Sequence, residues 1–133
     1  MDCDLLAARI NNLRDLCWRE VGVSRSNKGM LEASNRIKND LILLDDHPLI
    51  QVLYNQVKQK SYRFDANTRR DINLVIDLHN RLLTSSLLLE ACLFRKESRG
   101  GHFRVDAPHS LPQWQCHSSQ QLGRKIATRT IRN

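Results

Sequence analysis

The chain has 133 residues and a formal net charge of +7, a length that allows one domain with a modest core and no second domain of full size. Its apolar runs are far shorter than the roughly 20 residues that span a bilayer. No apolar leader or CxxC pair accompanies its four cysteines, Cys3, Cys17, Cys92 and Cys116, so an oxidising compartment has no support. We therefore expect a soluble, cytoplasmic protein without a membrane segment.

Helical periodicity predicts the first element over residues 4–21. Apolar residues recur there at steps of three and four: Leu6, Ile10, Leu13, Leu16 and Cys17. This spacing is typical of an amphipathic helix. We expect Asp2 or Asp4 to be its N-cap and Gly22 to be the left-handed residue that ends it.

A second helix is predicted over residues 28–45, with a shorter or kinked continuation over residues 48–60. The apolar stripe of the second helix comprises Met30, Ala33, Ser34, Ile37, Leu41 and Leu44. Pro48 disfavours helical geometry at His47 but suits the first position of a new helix. The connection between the two segments should therefore lie at these two residues.

The longest helix is predicted over residues 67–96, after Asp65 or Asn67. Its stripe is Ile72, Val75, Ile76, His79, Leu82, Leu83, Ser86, Leu89 and Leu93. Long helices of this kind pack side by side at shallow angles. The sequence thus predicts an all-α fold, an antiparallel three-helix bundle over residues 1–97 that resembles a spectrin repeat.

Residues 98–133 are predicted to form an irregular basic extension. Glycine and proline make the segment extended or looped, no strand pattern is visible, and the end from Gln120 is expected to be frayed or disordered. Residues 1–93 carry 13 Lys/Arg and 12 Asp/Glu, whereas residues 94–133 carry 8 and 2. Either contact with an anionic partner or a solvated tail would explain this excess.

Motifs of catalysis are absent from the sequence. No nucleophile is paired locally with a base, and no glycine-rich phosphate loop occurs. His102, His109, Cys116 and His117 follow no structural zinc spacing. We predict that this chain holds no catalytic, cofactor-binding or metal-binding residue.

The stretch RKESRGGHFRVDAP, residues 95–108, combines charges with two adjacent glycines. Arg99 and Arg104 can each offer a planar fork of donors to a carboxylate or phosphate of a partner. Alternatively, Glu97, Asp106 and the arginines satisfy one another in a local cap of the long helix. The sequence leaves both interpretations open.

Two motifs carry a family resemblance. The run Glu97-Ser98-Arg99-Gly100-Gly101-His102-Phe103-Arg104, followed by Asp106, Pro108, Trp114 and His117, resembles the signature near the end of L-aspartate oxidases. A related signature occurs in the flavoprotein subunits of succinate dehydrogenase and fumarate reductase. Upstream, Leu13, Trp18, Val21-Gly22-Val23, Arg25, Gly29, Leu31 and Ala33 resemble the segment that opens the C-terminal helical domain of the same family.

The resemblance implies a non-catalytic C-terminal domain of an enzyme that uses FAD to oxidise L-aspartate to iminoaspartate, the first step of quinolinate and NAD biosynthesis. FAD would belong to the parent enzyme and not to this chain, and the partners would be its FAD-binding and capping domains. The expected interdomain contacts are Glu97, Ser98, Arg99, His102, Arg104, Asp106 and Trp114.

Two further expectations concern partners. Phe103, Leu111 and Trp114 are expected on an apolar face that promotes self-association of the isolated domain. The alternative function is a small basic helical module that binds nucleic acid or an acidic protein, although no RRM, zinc-finger or helix-turn-helix signature supports nucleic-acid binding.

Overall fold

The computed structural model describes residues 3–56 and 63–131. Its helices are α1 Cys3–Val21, α2 Asn27–Asp45, α3 Pro48–Gln56 and α4 Ala66–Phe94. A short 3₁₀ turn, Pro112–Trp114, precedes two strands, β1 His117–Ser119 and β2 Ala127–Arg129. The chain is mostly helical, which confirms the all-α prediction. No helix in the described ranges is long and apolar enough to cross a membrane.

Helices α1 and α4 run parallel. Cys3 Sγ contacts Asp71 near the start of α4, and Cys17 Sγ donates to Ser85 Oγ at 3.3 Å. In each pair the two residues are 68 positions apart in the sequence. The two helices therefore run in the same direction and keep the same register along their contact. This arrangement is the one expected for the first and third helices of an up-down-up bundle.

Helix α2 packs against both α1 and α4 and runs in the opposite direction. Its last residue, Asp45, is 4.0 Å from His79 in the middle of α4, whereas its first residue, Asn27, lies at the C-terminal end of α4 through Arg104. The buried core is formed mainly by these three helices and includes Leu6, Ile10, Leu13, Leu16, Met30, Ala33, Ile37, Leu44, Val75, Leu78, Leu82 and Leu89.

The buried face of α4 differs from the predicted stripe. Leu78, which the stripe omits, is 1% exposed, whereas Ile76 and Leu83 are 40% and 44% exposed. Because α4 packs against both α1 and α2, its buried face is centred between these two neighbours. Apolar residues of α4 also lie on both sides of that face. The apolar periodicity of the sequence therefore predicted the wrong centre for the buried face.

One helix terminus agrees with prediction and another differs from it. Asp65 is the N-cap of α4, with its Oδ1 accepting from the backbone N–H groups of Asn67 and Thr68 at 3.0 Å, as one of the two alternatives proposed. Gly22 does not have a positive φ, so its predicted left-handed role is wrong. A Cβ at Gly22 would collide with the carbonyl oxygen of Trp18, and this close approach explains the glycine. Of the two N-caps predicted for α1, Asp2 lies outside the described residues, and Asp4 is wrong because it lies inside the first turn of the helix.

Helix α3 begins as a separate element at Pro48. The Nδ1 atom of His47 accepts from the backbone N–H of Leu49 at 3.1 Å, so the imidazole caps the helix and Pro48 occupies its first position. Burial is the main cause that lowers the pKa of His47, and its Nε2 has no hydrogen-bond partner among the described residues. The end of the predicted continuation, residues 57–60, lies outside the described ranges.

The C-terminal segment contains strands that the sequence did not predict. His117 pairs with Arg129 and Ser119 with Ala127 in an antiparallel ladder, and Gly123 in the connection has a φ of 73°. The prediction of a segment without strands is therefore wrong, and the expected fraying does not describe Ala127–Arg129. Each strand is three residues long, too short to produce a visible alternation of apolar and polar residues.

Candidate functional site

Side-chain hydrogen bonds are concentrated in the C-terminal bend, residues 95–108. Arg25 and Arg104 form a parallel bridge, in which Arg25 N donates to Phe103 O at 3.0 Å and Val105 N donates to Arg25 O at 2.8 Å. Arg99 and His102 exchange hydrogen bonds of 2.8 and 3.0 Å across the two glycines. The bend is thus attached to the α1–α2 connection and folded back on itself.

Arg104 closes the C-terminal end of α4 from within the chain. Its side chain is 2% exposed, and its Nη1 donates to the carbonyl oxygens of Cys92, Leu93 and Arg95 at 3.1–3.2 Å. The carbonyl oxygens of a last helical turn have no donor inside the helix. Here the Arg104 guanidinium supplies the missing donors. Helix α4 therefore ends at Phe94, before the predicted residue 96, and the chain turns there.

The other edge of the Arg104 guanidinium reaches the start of α2. Its Nη2 donates to Asn27 Oδ1 at 3.1 Å and to Asp106 Oδ2 at 2.6 Å. Asp106 Oδ1 in turn accepts from the backbone N–H of Asn27 at 2.8 Å, and the hydrogen bond from Arg104 is the largest cause that lowers the pKa of Asp106. One buried guanidinium thus joins the end of α4 to the beginning of α2.

Glu97 is the second buried charge of the bend. Its carboxylate, 0% exposed, accepts from Arg95, from Arg99 Nε at 2.9 Å and from the backbone N–H of Leu111 at 2.8 Å. The hydrogen bond from Arg99, followed by those from Leu111 and Arg95, lowers the pKa of Glu97 to about 2 against the cost of burial. The carboxylate is therefore ionised at neutral pH and fixes residues on both sides of the bend.

His102 is held in one protonation state by its partners. Its Nδ1 is 2.8 Å from Arg25 Nη1 and its Nε2 is 3.1 Å from the carbonyl oxygen of Arg95. Because a guanidinium only donates and a carbonyl only accepts, the ring must be neutral with its proton on Nε2. Burial is the largest cause that lowers the pKa of His102, and Arg25 lowers it further.

Ser98 and Trp114 complete the set of predicted site residues. The Ser98 hydroxyl accepts from Arg104 N at 2.9 Å and donates to Ala107 O at 2.7 Å. Trp114 packs edge-to-face on Phe94 with ring centroids 5.3 Å apart, and the Arg95 guanidinium lies 5.4 Å from its centroid.

The structure brings all seven predicted residues into one internally bonded region. Glu97, Ser98 and Arg104 are buried, and the Arg99 side chain is 42% exposed. The sequence left open whether the charges of the bend bind a partner or form a local cap of the long helix, and the local cap describes these contacts. Sequence reasoning missed two residues of this region. Arg95 donates to Glu97, and Asn27 accepts from Arg104. Asn27 carries no local signal, because its partner lies 77 residues away.

The buried side chains of the bend are bonded within the chain. In the part of the chain that the structure describes, none of their polar atoms lacks a hydrogen-bond partner. Among the described residues, no group of three or more His, Cys, Asp or Glu side chains could hold a metal ion.

The two glycines of the bend predict contrasting responses to alanine. Gly100 has a φ of +57°, where an alanine costs about 1–2 kcal/mol. Gly101 has no positive φ, and a Cβ there meets nothing within 4 Å, so Gly101→Ala should be neutral or slightly stabilising. Chemical denaturation of both variants measures the difference. Equal losses of stability in the two would contradict the conformation described for this turn.

Helical bundle and bend together define an all-α domain whose polar C-terminal end is paired internally. Residues 10–131 match the family described as the fumarate reductase flavoprotein C-term. The chain therefore belongs to the succinate dehydrogenase and fumarate reductase flavoprotein family as a C-terminal domain, which confirms the resemblance.

Individual relatives extend the comparison. The L-aspartate oxidase of Nostoc sp. is 34% identical over 87% of this chain and 20% of its own length. A fumarate reductase (CoM/CoB) subunit of Methanothermobacter marburgensis is 29% identical over 91% and 19%. The L-aspartate oxidase of Pseudomonas aeruginosa is 30% identical over 82% and 17%. The chain thus spans about one fifth of these relatives. No solved structure matches it.

Proposed function

We propose that this chain is the non-catalytic C-terminal domain of an FAD-dependent L-aspartate oxidase, which converts L-aspartate to iminoaspartate at the start of quinolinate and NAD biosynthesis. The observation that carries the proposal is the alignment of 87% of the chain with the Nostoc sp. L-aspartate oxidase. On this proposal FAD belongs to the preceding part of the enzyme, and the protein works in the cytoplasm.

The bend supports a structural role for the domain. Arg104 and Glu97 are engaged in contacts within the chain, so they stabilise the bundle and bend as a unit that a flavin-binding domain and a capping domain can pack against. Among the predicted contact residues, the Arg99 side chain remains 42% exposed. Self-association of the isolated chain is part of the proposal, because Phe103 is 42% exposed.

The alternative of a basic nucleic-acid module is weaker. Of the eight basic residues after residue 93, Arg95, Arg99 and Arg104 are bound to carboxylates of the chain itself. Only charge that remains exposed can neutralise phosphates and release counterions. An affinity for arbitrary duplex DNA that falls steeply with salt would favour this alternative.

A graft tests the proposed function. The segment of the Nostoc sp. L-aspartate oxidase that aligns with this chain is replaced by residues 1–133. We expect the chimaera to retain FAD and its flavin absorbance to bleach when L-aspartate is added without oxygen, because the grafted domain supplies the same packing surface. The matched control is the same enzyme with the segment deleted, which should lose the flavin.

A parallel graft into the fumarate reductase subunit of Methanothermobacter marburgensis separates the two enzyme classes. Activity retained in the fumarate reductase chimaera but not in the L-aspartate oxidase chimaera would contradict the assignment to L-aspartate oxidase. Membership of the family would still stand. Failure of both grafts would count against a domain role in either enzyme.

A further inference from the structure

We infer that the groove between α1 and α4 is the face on which the flavin-binding part of the longer enzyme docks, an inference that rests on the proposed function. The α1–α4 groove is lined by Leu13, Arg14, Cys17, Asn80, Arg81, Thr84 and Ser85. Its volume is about 350 Å³, and it is open to solvent. A concave apolar surface of this size accommodates a protruding side-chain cluster of a partner.

The walls of the α1–α4 groove are set by the parallel register of the two helices. Leu13, 6% exposed, forms its floor together with the half-buried Cys17, whose thiol donates to Ser85. These floor residues belong to or border the core, so the groove is a fixed feature of the bundle. A partner therefore meets a preformed surface, and docking there has little ordering cost.

Large apolar side chains continue the groove on both rims. Trp18 follows Arg14 by one helical turn and is 78% exposed, and Leu88 follows Thr84 by one turn and is 46% exposed. An exposed tryptophan beside an apolar groove is a typical anchor of a protein interface.

Another side of α4 is contacted by the C-terminal segment of the chain itself. Gln120 Nε2 donates to Leu87 O at 3.0 Å and to Glu90 Oε2 at 3.1 Å. Trp114 covers Phe94 on the next turn. The C-terminal segment thus contacts α4 at Leu87, Glu90 and Phe94, whereas the α1–α4 groove is lined by α1 and α4 residues.

Length and charge identify the occupant. The aligned segment is 20% of the Nostoc sp. enzyme, so a body about four times larger must contact this domain. Arg81 in the groove is already paired with Asp77 one turn away. Arg14 lies in the groove wall, and Arg69 and Arg70 lie further along the same pair of helices with Asp4. The docking surface of the flavin-binding part should therefore present an apolar centre with acidic residues around it.

Thiol labelling in the grafted Nostoc sp. enzyme tests the docking face. Thr84→Cys places a probe in the α1–α4 groove, and Leu43→Cys places a matched probe on α2, at a side chain that is 66% exposed. Both are labelled in the free chain and in the chimaera and are quantified by mass spectrometry of their peptides. We expect labelling at position 84 to slow by about tenfold or more in the chimaera, because a docked face is reached only when the interface opens, and labelling at position 43 to stay unchanged.

A second measurement uses the double variant Trp18→Ser, Leu88→Ser against the control Ile42→Ser, Leu43→Ser. All four side chains are between 46% and 78% exposed, so both variants of the free chain should unfold near the wild-type temperature. In the chimaera, the groove variant should lose flavin at least about tenfold faster than the control, as expected when interface anchors are removed.

The outcomes separate the two proposals. If the wild-type chimaera retains FAD but position 84 labels as fast as in the free chain, the docking face is wrong and the proposed function stands. Protection at position 43 alone likewise overturns the inference and moves the interface to the end of α2. A wild-type chimaera that holds no flavin counts against the proposed function, and the inference falls with it.

Discussion

Arg104→Met should lower the free energy of unfolding by about 3–5 kcal/mol, the range observed when one partner of a buried ion pair is removed. The methionine retains much of the aliphatic volume but donates no hydrogen bond. Carbonyl oxygens of Cys92, Leu93 and Arg95 would then lose a donor, and Asp106 would lose its cation. The end of α4 would also lose its connection to Asn27.

Urea denaturation followed by far-UV circular dichroism measures this loss. Arg81→Met is the matched control, because Arg81 is 47% exposed and pairs with Asp77 one turn away; such exposed pairs contribute only about 0.3–0.5 kcal/mol. Arg104→Lys should also be destabilising, since an ammonium cannot reproduce the planar fork that reaches both helices. A loss below about 1 kcal/mol for Arg104→Met would show that the bend does not depend on this guanidinium.

The helices were predictable because their signals are local. Asp65 caps α4 through atoms two and three residues away, and Pro48 begins α3 by its own geometry. The buried face of α4 was less predictable, since Leu78 and Ile76 are both apolar and their burial depends on where α1 and α2 lie. Sequence periodicity specifies that a helix has an apolar face more reliably than it specifies the centre of that face.

The bend illustrates the same limit for polar residues. The contact of Glu97 with Arg99 spans two positions and was one of the two alternatives that the sequence left open. The contacts of Arg104 with Asn27 and of His102 with Arg25 each span 77 residues and exist only because α2 returns antiparallel to α4. These contacts distinguish a bend that is paired internally from one whose arginines are available to a partner protein or ligand.

The second large effect is expected from Glu97→Gln, which should lower the free energy of unfolding at neutral pH by roughly 1.5–3 kcal/mol, as for hydrogen bonds to charged groups. Glu97 is 0% exposed and binds Arg95, Arg99 and the backbone of Leu111. A neutral amide has no charge to offer the two guanidinium groups, and its own N–H donors would face other donors. Asp77→Asn is the matched control, because Asp77 is 45% exposed in its pair with Arg81.

The same carboxylate makes the effect depend on pH. The pKa of Glu97 is about 2 in the folded chain, below its ordinary value of 4.5. Above pH 4.5 the group is ionised in both states and its ion pairs contribute fully. Below pH 4.5 the unfolded chain binds the proton first, so this contribution decreases and is lost as the pH falls through about 2.

Urea titrations from neutral pH downward should therefore show the stability difference between wild type and Glu97→Gln shrinking below pH 4.5. A difference that stays constant across that range would mean that the Glu97 carboxylate is not preferentially ionised in the folded chain.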